Sequence, residues 1–171
     1  IESLQVLSLS GFDGYKYSDD MLDDLDELLL RASSPKKQRN KLKVLKIYYG
    51  YHFLSDRLIQ TMFGNEANIE KVMLVDTVTM GLFKTMVGVL RKNRSLRHLT
   101  LQFFACDDDR VHIPGIISLL NALQVNQTLR VLETDMLVPR STSNGLAAAF
   151  LNCLRQPNGL QVLSLYLTPN D

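Results

Sequence analysis

One short pattern returns six times along the chain, and no other feature limits its fold so severely. It runs as LQVLSL from Leu4, LKVLKI from Leu42, IEKVML from Ile69, LRHLTL from Leu96, LRVLET from Leu129 and LQVLSL from Leu160. The starts are separated by 38, 27, 27, 33 and 31 residues, and the last unit copies the first. Within each unit apolar and other residues alternate, which is the period of a strand with one buried face. Four of the six units are entered through an asparagine-containing turn: QRNKL, KNRSL, VNQTL and QPNGL.

The segments between these runs carry helical periodicity instead. Met21, Leu22, Leu25, Leu28 and Leu29 make one stripe, with Ser18 as N-cap and Asp19 and Asp20 at the positive helix end. Leu54, Leu58, Ile59, Met62 and Phe63 make a second. Leu82, Met86 and Leu90, with Phe83 or Val87 at the margin, make a third. Pro114 is read as a first helical residue, followed by Ile116, Leu119, Leu120 and Leu123. Leu146, Ala147, Phe150, Leu151 and Leu154 form the fifth stripe.

Strands alternating with helices fit either a doubly wound parallel sheet or a solenoid. A doubly wound sheet is covered on both faces, so its strands are almost continuously apolar. Here the alternate positions include Ser8, Lys46, Lys71, His98, Thr100, Glu133 and Ser164, and burying these without partners costs several kcal/mol each. One sheet face therefore meets water and the helices lie on the other. Strands stack about 4.8 Å apart and helices about 10 Å apart, so the sheet is predicted to line the concave side of an arc.

The chain resembles a leucine-rich repeat domain, nearest the ribonuclease-inhibitor-like class with a full α-helix per repeat. The resemblance covers essentially all of residues 1–171 and implies an α/β, right-handed β-α solenoid, a horseshoe with its parallel sheet concave and its helices convex. A single domain of six strands and about five helices is expected. The family places Asn or Cys eight positions after the first Leu; this chain has Phe12, Gly50, Thr77, Phe104, Leu137 and Thr168 there, and Thr134 replaces an apolar strand residue. Irregular loops after the strands follow. The chain opens on Ile1 and finishes on a strand, so it is expected to be cut at both ends from a longer protein, since solenoids need polar end pieces.

Composition bears on function mainly by exclusion. Nineteen Lys plus Arg against eighteen Asp plus Glu give a charge of +1, which offers no general attraction to nucleic acid or anionic membrane. Apolar runs are too short to span a bilayer. The two cysteines, Cys106 and Cys153, fall in different elements, so a disulfide framework is not expected and a cytoplasmic, reducing setting is. His52, His98 and His112 fall in no nucleophile or zinc motif, and no phosphate-binding glycine loop occurs. No cofactor, metal or catalytic residue is assigned.

The candidate site is the open sheet face, whose side chains project as three rows. The first is Val6, Val44, Lys71, His98, Val131 and Val162; the second Ser8, Lys46, Met73, Thr100, Glu133 and Ser164; the third Ser10, Tyr48, Val75, Gln102, Asp135 and Tyr166. Tyrosine and methionine suit interface anchors, and Lys46 and Lys71 on one side with Glu133 and Asp135 on the other would orient a partner. Tyr48, Lys46, Lys71, Met73, His98, Thr100, Gln102, Glu133, Asp135 and Tyr166 are therefore the expected partner-binding residues.

Three other stretches draw plainer readings. YYGYHF, Tyr48 to Phe53, is read as aromatics filling a turn rather than as a recognition patch. Asp107, Asp108, Asp109 and His112 lack the alternating oxygen ligands of a calcium loop and read as a solvated acidic loop. The six acids of SDDMLDDLDE and six bases of KKQRNKLKVLK read as helix-end and turn charges. Ser33 and Ser34 in ASSPKK offer only a modifiable loop. The expected role is a non-enzymatic scaffold that holds another protein or a neighbouring domain of the same chain, with no nucleic acid, membrane or small-molecule substrate. The alternative is a regulatory or sensor segment acting by intramolecular contact.

Overall fold

A computed structural model of the chain describes residues 5–10, 21, 23–25, 27–28, 42–48, 55–64, 68–75, 80–102, 109–138, 143–155 and 159–169. The elements are β1 (Val6–Ser10), β2 (Val44–Tyr48), α1 (Asp56–Phe63), β3 (Lys71–Val75), α2 (Met80–Leu90), β4 (His98–Gln102), α3 (Asp109–Leu123), β5 (Val131–Val138), α4 (Ser143–Arg155) and β6 (Val162–Pro169). Helical backbone also occurs at residues 21, 23–25 and 27–28.

The six strands form one sheet in the order β1-β2-β3-β4-β5-β6, and every neighbouring pair is parallel. Each strand begins two residues after the first apolar residue of its repeat. Pairing equivalent positions brings the repeats into one register, and the backbone shows how. Gln5 O accepts from Lys43 N (2.9 Å) and Val44 N (3.0 Å), and the same forked acceptor recurs at Lys43, Glu70, Arg97 and Arg130.

The register places Leu7, Leu45, Val72, Leu99, Leu132 and Leu163 in one row, and Leu9, Ile47, Leu74, Leu101, Thr134 and Leu165 in another. On the inner strands these rows are sealed from solvent, and they join Leu58, Ile59, Met62 and Phe63 of α1, Phe83, Met86 and Leu90 of α2, and Ile116, Leu119, Leu120 and Leu123 of α3 in one core. Each fully buried aliphatic side chain contributes about 1.5–3 kcal/mol. The described helices pack in chain order, α1 on α2, α2 on α3 and α3 on α4.

Several expectations need correction. Pro114 is not a first helical residue: α3 begins five residues earlier, at Asp109, and Pro114 lies inside it. The stripe of α4 is turned from the expected one, with Leu146, Ala149 and Cys153 buried while Ala147, Leu151 and Leu154 are exposed. Among the described helices α4 has a neighbour on one side only, so small residues pack on that side and the leucines turn away from it. Met21 and Leu28 are likewise exposed, at 56% and 42%. Ser18, Asp19, Asp20, Leu22, Leu29, Ser33, Ser34, Tyr49 to Leu54 and Phe103 to Asp108, Cys106 among them, lie outside the described residues, as do the side chains of Leu82, Asp109 and His112.

Candidate functional site

The three rows expected on the open face are the rows the register makes. Val6 pairs with Val44, Val44 with Lys71, Lys71 with His98, His98 with Val131 and Val131 with Val162, and the second and third rows follow two and four residues on. Most of these side chains keep contact with solvent. Lys46, Lys71, Met73, His98, Gln102, Glu133 and Asp135 are half-buried, and Tyr166 is 65% exposed. Two positions depart from the expectation of a wet face: Thr100 is only 6% exposed and Val75 only 3%.

Thr100 is covered because its neighbours close over it. Glu133 Oε2 accepts from Thr100 Oγ1 at 2.9 Å and from His98 Nε2 at 2.9 Å, and Thr100 Oγ1 lies 3.1 Å from the same ring nitrogen. Because a carboxylate can only accept, the ring proton toward it sits on Nε2. Together these contacts staple β4 to β5 across the open face. The bonds from His98 and then from Thr100 hold the Glu133 carboxyl below its usual range, with the charges of His98 and Lys71 assisting against the cost of burial. One nitrogen of His98 serves both partners, whereas a nucleophile relay needs one ring nitrogen for the acid and the other for the hydroxyl. The cluster is built to hold charge and geometry.

Beyond this staple, Thr100, Gln102, Glu133, Asp135 and Tyr166 line an open depression of about 360 Å³ over β4, β5 and β6. On the opposite side of the face Tyr48 leans across one strand, its hydroxyl 3.9 Å from Met73 Sδ. The structure therefore gathers the expected residues into two groups, a polar one on β4 to β6 and an aromatic-thioether one on β2 and β3. Lys46 lies in the same row as Glu133 but three strands away, roughly 14 Å at ordinary strand spacing. Lys71, by contrast, is next to His98 in the first row, so the charges grade across the sheet rather than occupying its two ends.

What positions these strands is a set of side chains assigned no role from the sequence. Asn93 is fully buried; its Oδ1 accepts from Ser95 N (3.0 Å) and Leu96 N (2.7 Å), while its Nδ2 donates to Phe63 O (2.7 Å). Asn126 repeats this one unit later, accepting from Thr128 N and Leu129 N (both 2.8 Å) and donating to Leu90 O (2.6 Å). Each asparagine shapes its own turn into the strand and donates to the carbonyl that ends the helix one repeat earlier, Phe63 of α1 or Leu90 of α2. The signal was present as Asn three residues before Leu in KNRSL and VNQTL. In QRNKL and QPNGL the asparagine stands only two residues before Leu, one short of this geometry.

A second lateral tie uses the residue after the first Leu. Arg97 Nη1 donates to Thr128 O at 3.1 Å, Arg130 Nη1 to Gly159 O at 2.6 Å, and Lys43 Nζ pairs with Glu70 at 2.7 Å. Each links one repeat to the next, so the strands are tied laterally by side chains as well as by the backbone ladder.

No protein-family model matches the chain, and no curated protein matches it. Among the described residues no helix is long and apolar enough to cross a membrane.

Proposed function

We propose that the chain is a non-enzymatic protein-interaction scaffold of the leucine-rich repeat kind, ribonuclease-inhibitor-like, a right-handed β-α solenoid whose sheet is concave and whose helices are convex. The observation that carries this reading is the in-register face of six parallel strands, on which mixed anchors and charges remain in contact with solvent while the alternate rows are sealed. Such a face offers a partner backbone-rigid positions for Tyr48, Met73, Gln102, Asp135 and Tyr166. The partner is another protein or a neighbouring domain. The cysteine usage supports a reducing, intracellular setting.

The test is affinity capture with the whole chain against a variant carrying Tyr48→Ala, Met73→Ala, Gln102→Ala and Tyr166→Ala. The reading expects a defined set of proteins to be lost with the variant while its circular dichroism stays unchanged. Identical captured proteins for both chains would remove the open face from the account.

A further inference from the structure

A second surface lies in the helical layer. Between α2 and α3 runs a groove of about 330 Å³ whose floor is Phe83 and Val87. Lys84, Gly88 and Arg91 form its near wall and stand at i, i+4 and i+7, hence on one helix face. The far wall begins at Gly115.

The two glycines have different explanations. A Cβ at Gly115 would lie 2.9 Å from the Phe83 ring, so close helix packing accounts for it. A Cβ at Gly88 would meet nothing within 4 Å. Glycine in an exposed helix interior destabilises it relative to alanine, and no contact among the described residues requires that loss at Gly88. The absent side chain leaves a slot between two cations, over an apolar floor.

The charges around the slot have one sign. Among the described residues no Asp or Glu lines the groove, and neither the Lys84 ammonium nor the Arg91 guanidinium has a hydrogen bond or ion pair with any of them. The polar groups on the far wall are occupied locally, Ser118 Oγ donating to Pro114 O (2.8 Å) and Asn121 Oδ1 accepting from Gln124 Nε2 (3.2 Å). Lys84 and Arg91 lie about 10 Å apart along the axis, the rise of seven helical residues.

We propose that this groove docks an acidic amphipathic helix of a partner protein, with an aliphatic side chain in the Gly88 slot and two carboxylates about two turns apart on Lys84 and Arg91. The binding mode is helix in groove: the slot supplies the anchor and the cations select charge and register. A polyanion such as RNA would use the cations but leave the apolar floor empty. This surface is separate from the open sheet face and does not depend on it.

The test titrates the whole chain, followed by amide NMR, with a blocked fifteen-residue alanine-based helix carrying Glu, Leu and Glu at relative positions 1, 4 and 8. Saturable shifts confined to residues of α2 and α3 are expected, with at least tenfold weaker binding for the Lys-Leu-Lys peptide. Gly88→Leu should weaken the acidic peptide at least tenfold without lowering the melting temperature. The Lys84→Glu, Arg91→Glu pair should reverse the charge preference. Absent or scattered shifts, equal binding of both peptides, tighter binding of oligouridylate than of the acidic peptide, or a fold weakened by Gly88→Ala would each overturn the proposal.

Discussion

Replacing Asn126 by alanine tests the side-chain ties that set the repeat spacing. The substitution strands two buried backbone groups, the N–H of Thr128 and the N–H of Leu129, and leaves the carbonyl of Leu90 with only the longer bond from Asn93 N at 3.3 Å. Leaving a buried polar group unpaired costs about 1–3 kcal/mol, so with two such groups and partial relaxation the loss should reach about 2–4 kcal/mol. At roughly 2–4 °C per kcal/mol for a chain of this size, the melting temperature should fall by about 10 °C. Urea unfolding followed by circular dichroism measures the loss, with Asn152→Ala, on the exposed side of α4, as the control. Asn126→Asp separates the two roles, because it keeps the acceptor for the turn but removes the donor to Leu90 and buries a charge at a site only 2% exposed. It should be at least as damaging as alanine near neutral pH and less so in mild acid, where a protonated carboxyl can again donate. A loss below about 1 kcal/mol for Asn126→Ala, no larger than the control's, would refute the reasoning, because the stranded groups would then have found partners at no cost.

Other outcomes follow from single side chains. Thr134 Oγ1 is buried and without a hydrogen-bond partner, so Thr134→Val should stabilise the fold by about 1 kcal/mol in the same assay, and a loss of stability would show that the hydroxyl is paired. The carboxyl of Glu133 titrates lower in the folded chain, so its contribution is present above the unfolded value near 4.5 and is lost as pH falls through the lower folded value. Its side chain is 40% exposed, so the contribution is below about 1 kcal/mol, and Glu133→Gln should flatten the acid limb of stability against pH by no more than that. Leu99→Ala, at a fully sealed position on β4, should cost about 2–5 kcal/mol in urea unfolding, whereas Val162→Ala on the exposed edge should cost under about 1 kcal/mol.

Much of the architecture was legible before any coordinates. The alternation inside LRHLTL placed Leu96, Leu99 and Leu101 in the core, and the recurrence of that unit aligned all six strands, because a period of two leaves no choice of face and equal units leave no choice of register. Helix faces were less legible at the end of the stack. For α1 the buried residues Leu58, Ile59, Met62 and Phe63 are those of the apolar stripe, and for α3, which packs between α2 and α4, the two stripes coincide as well. For α4 the leucines outnumber the neighbours available, and packing chose Ala149 and Cys153.

The sequence by itself determined the repeat, the strand register and the rows that can face a partner, since these follow from local periodicity. Only the tertiary structure decided what those rows do. It sealed Thr100 under His98 and Glu133, grouped Tyr48 with Met73, and turned two of the asparagine turns into clasps on the helix one repeat earlier. It also separated Gly115, which packs against a ring, from Gly88, which faces open space. The reason is distance: contacts such as His98 with Glu133 and Asn126 with Leu90 join residues more than thirty apart in the chain, and no local pattern encodes which side chain will reach across a strand or a turn.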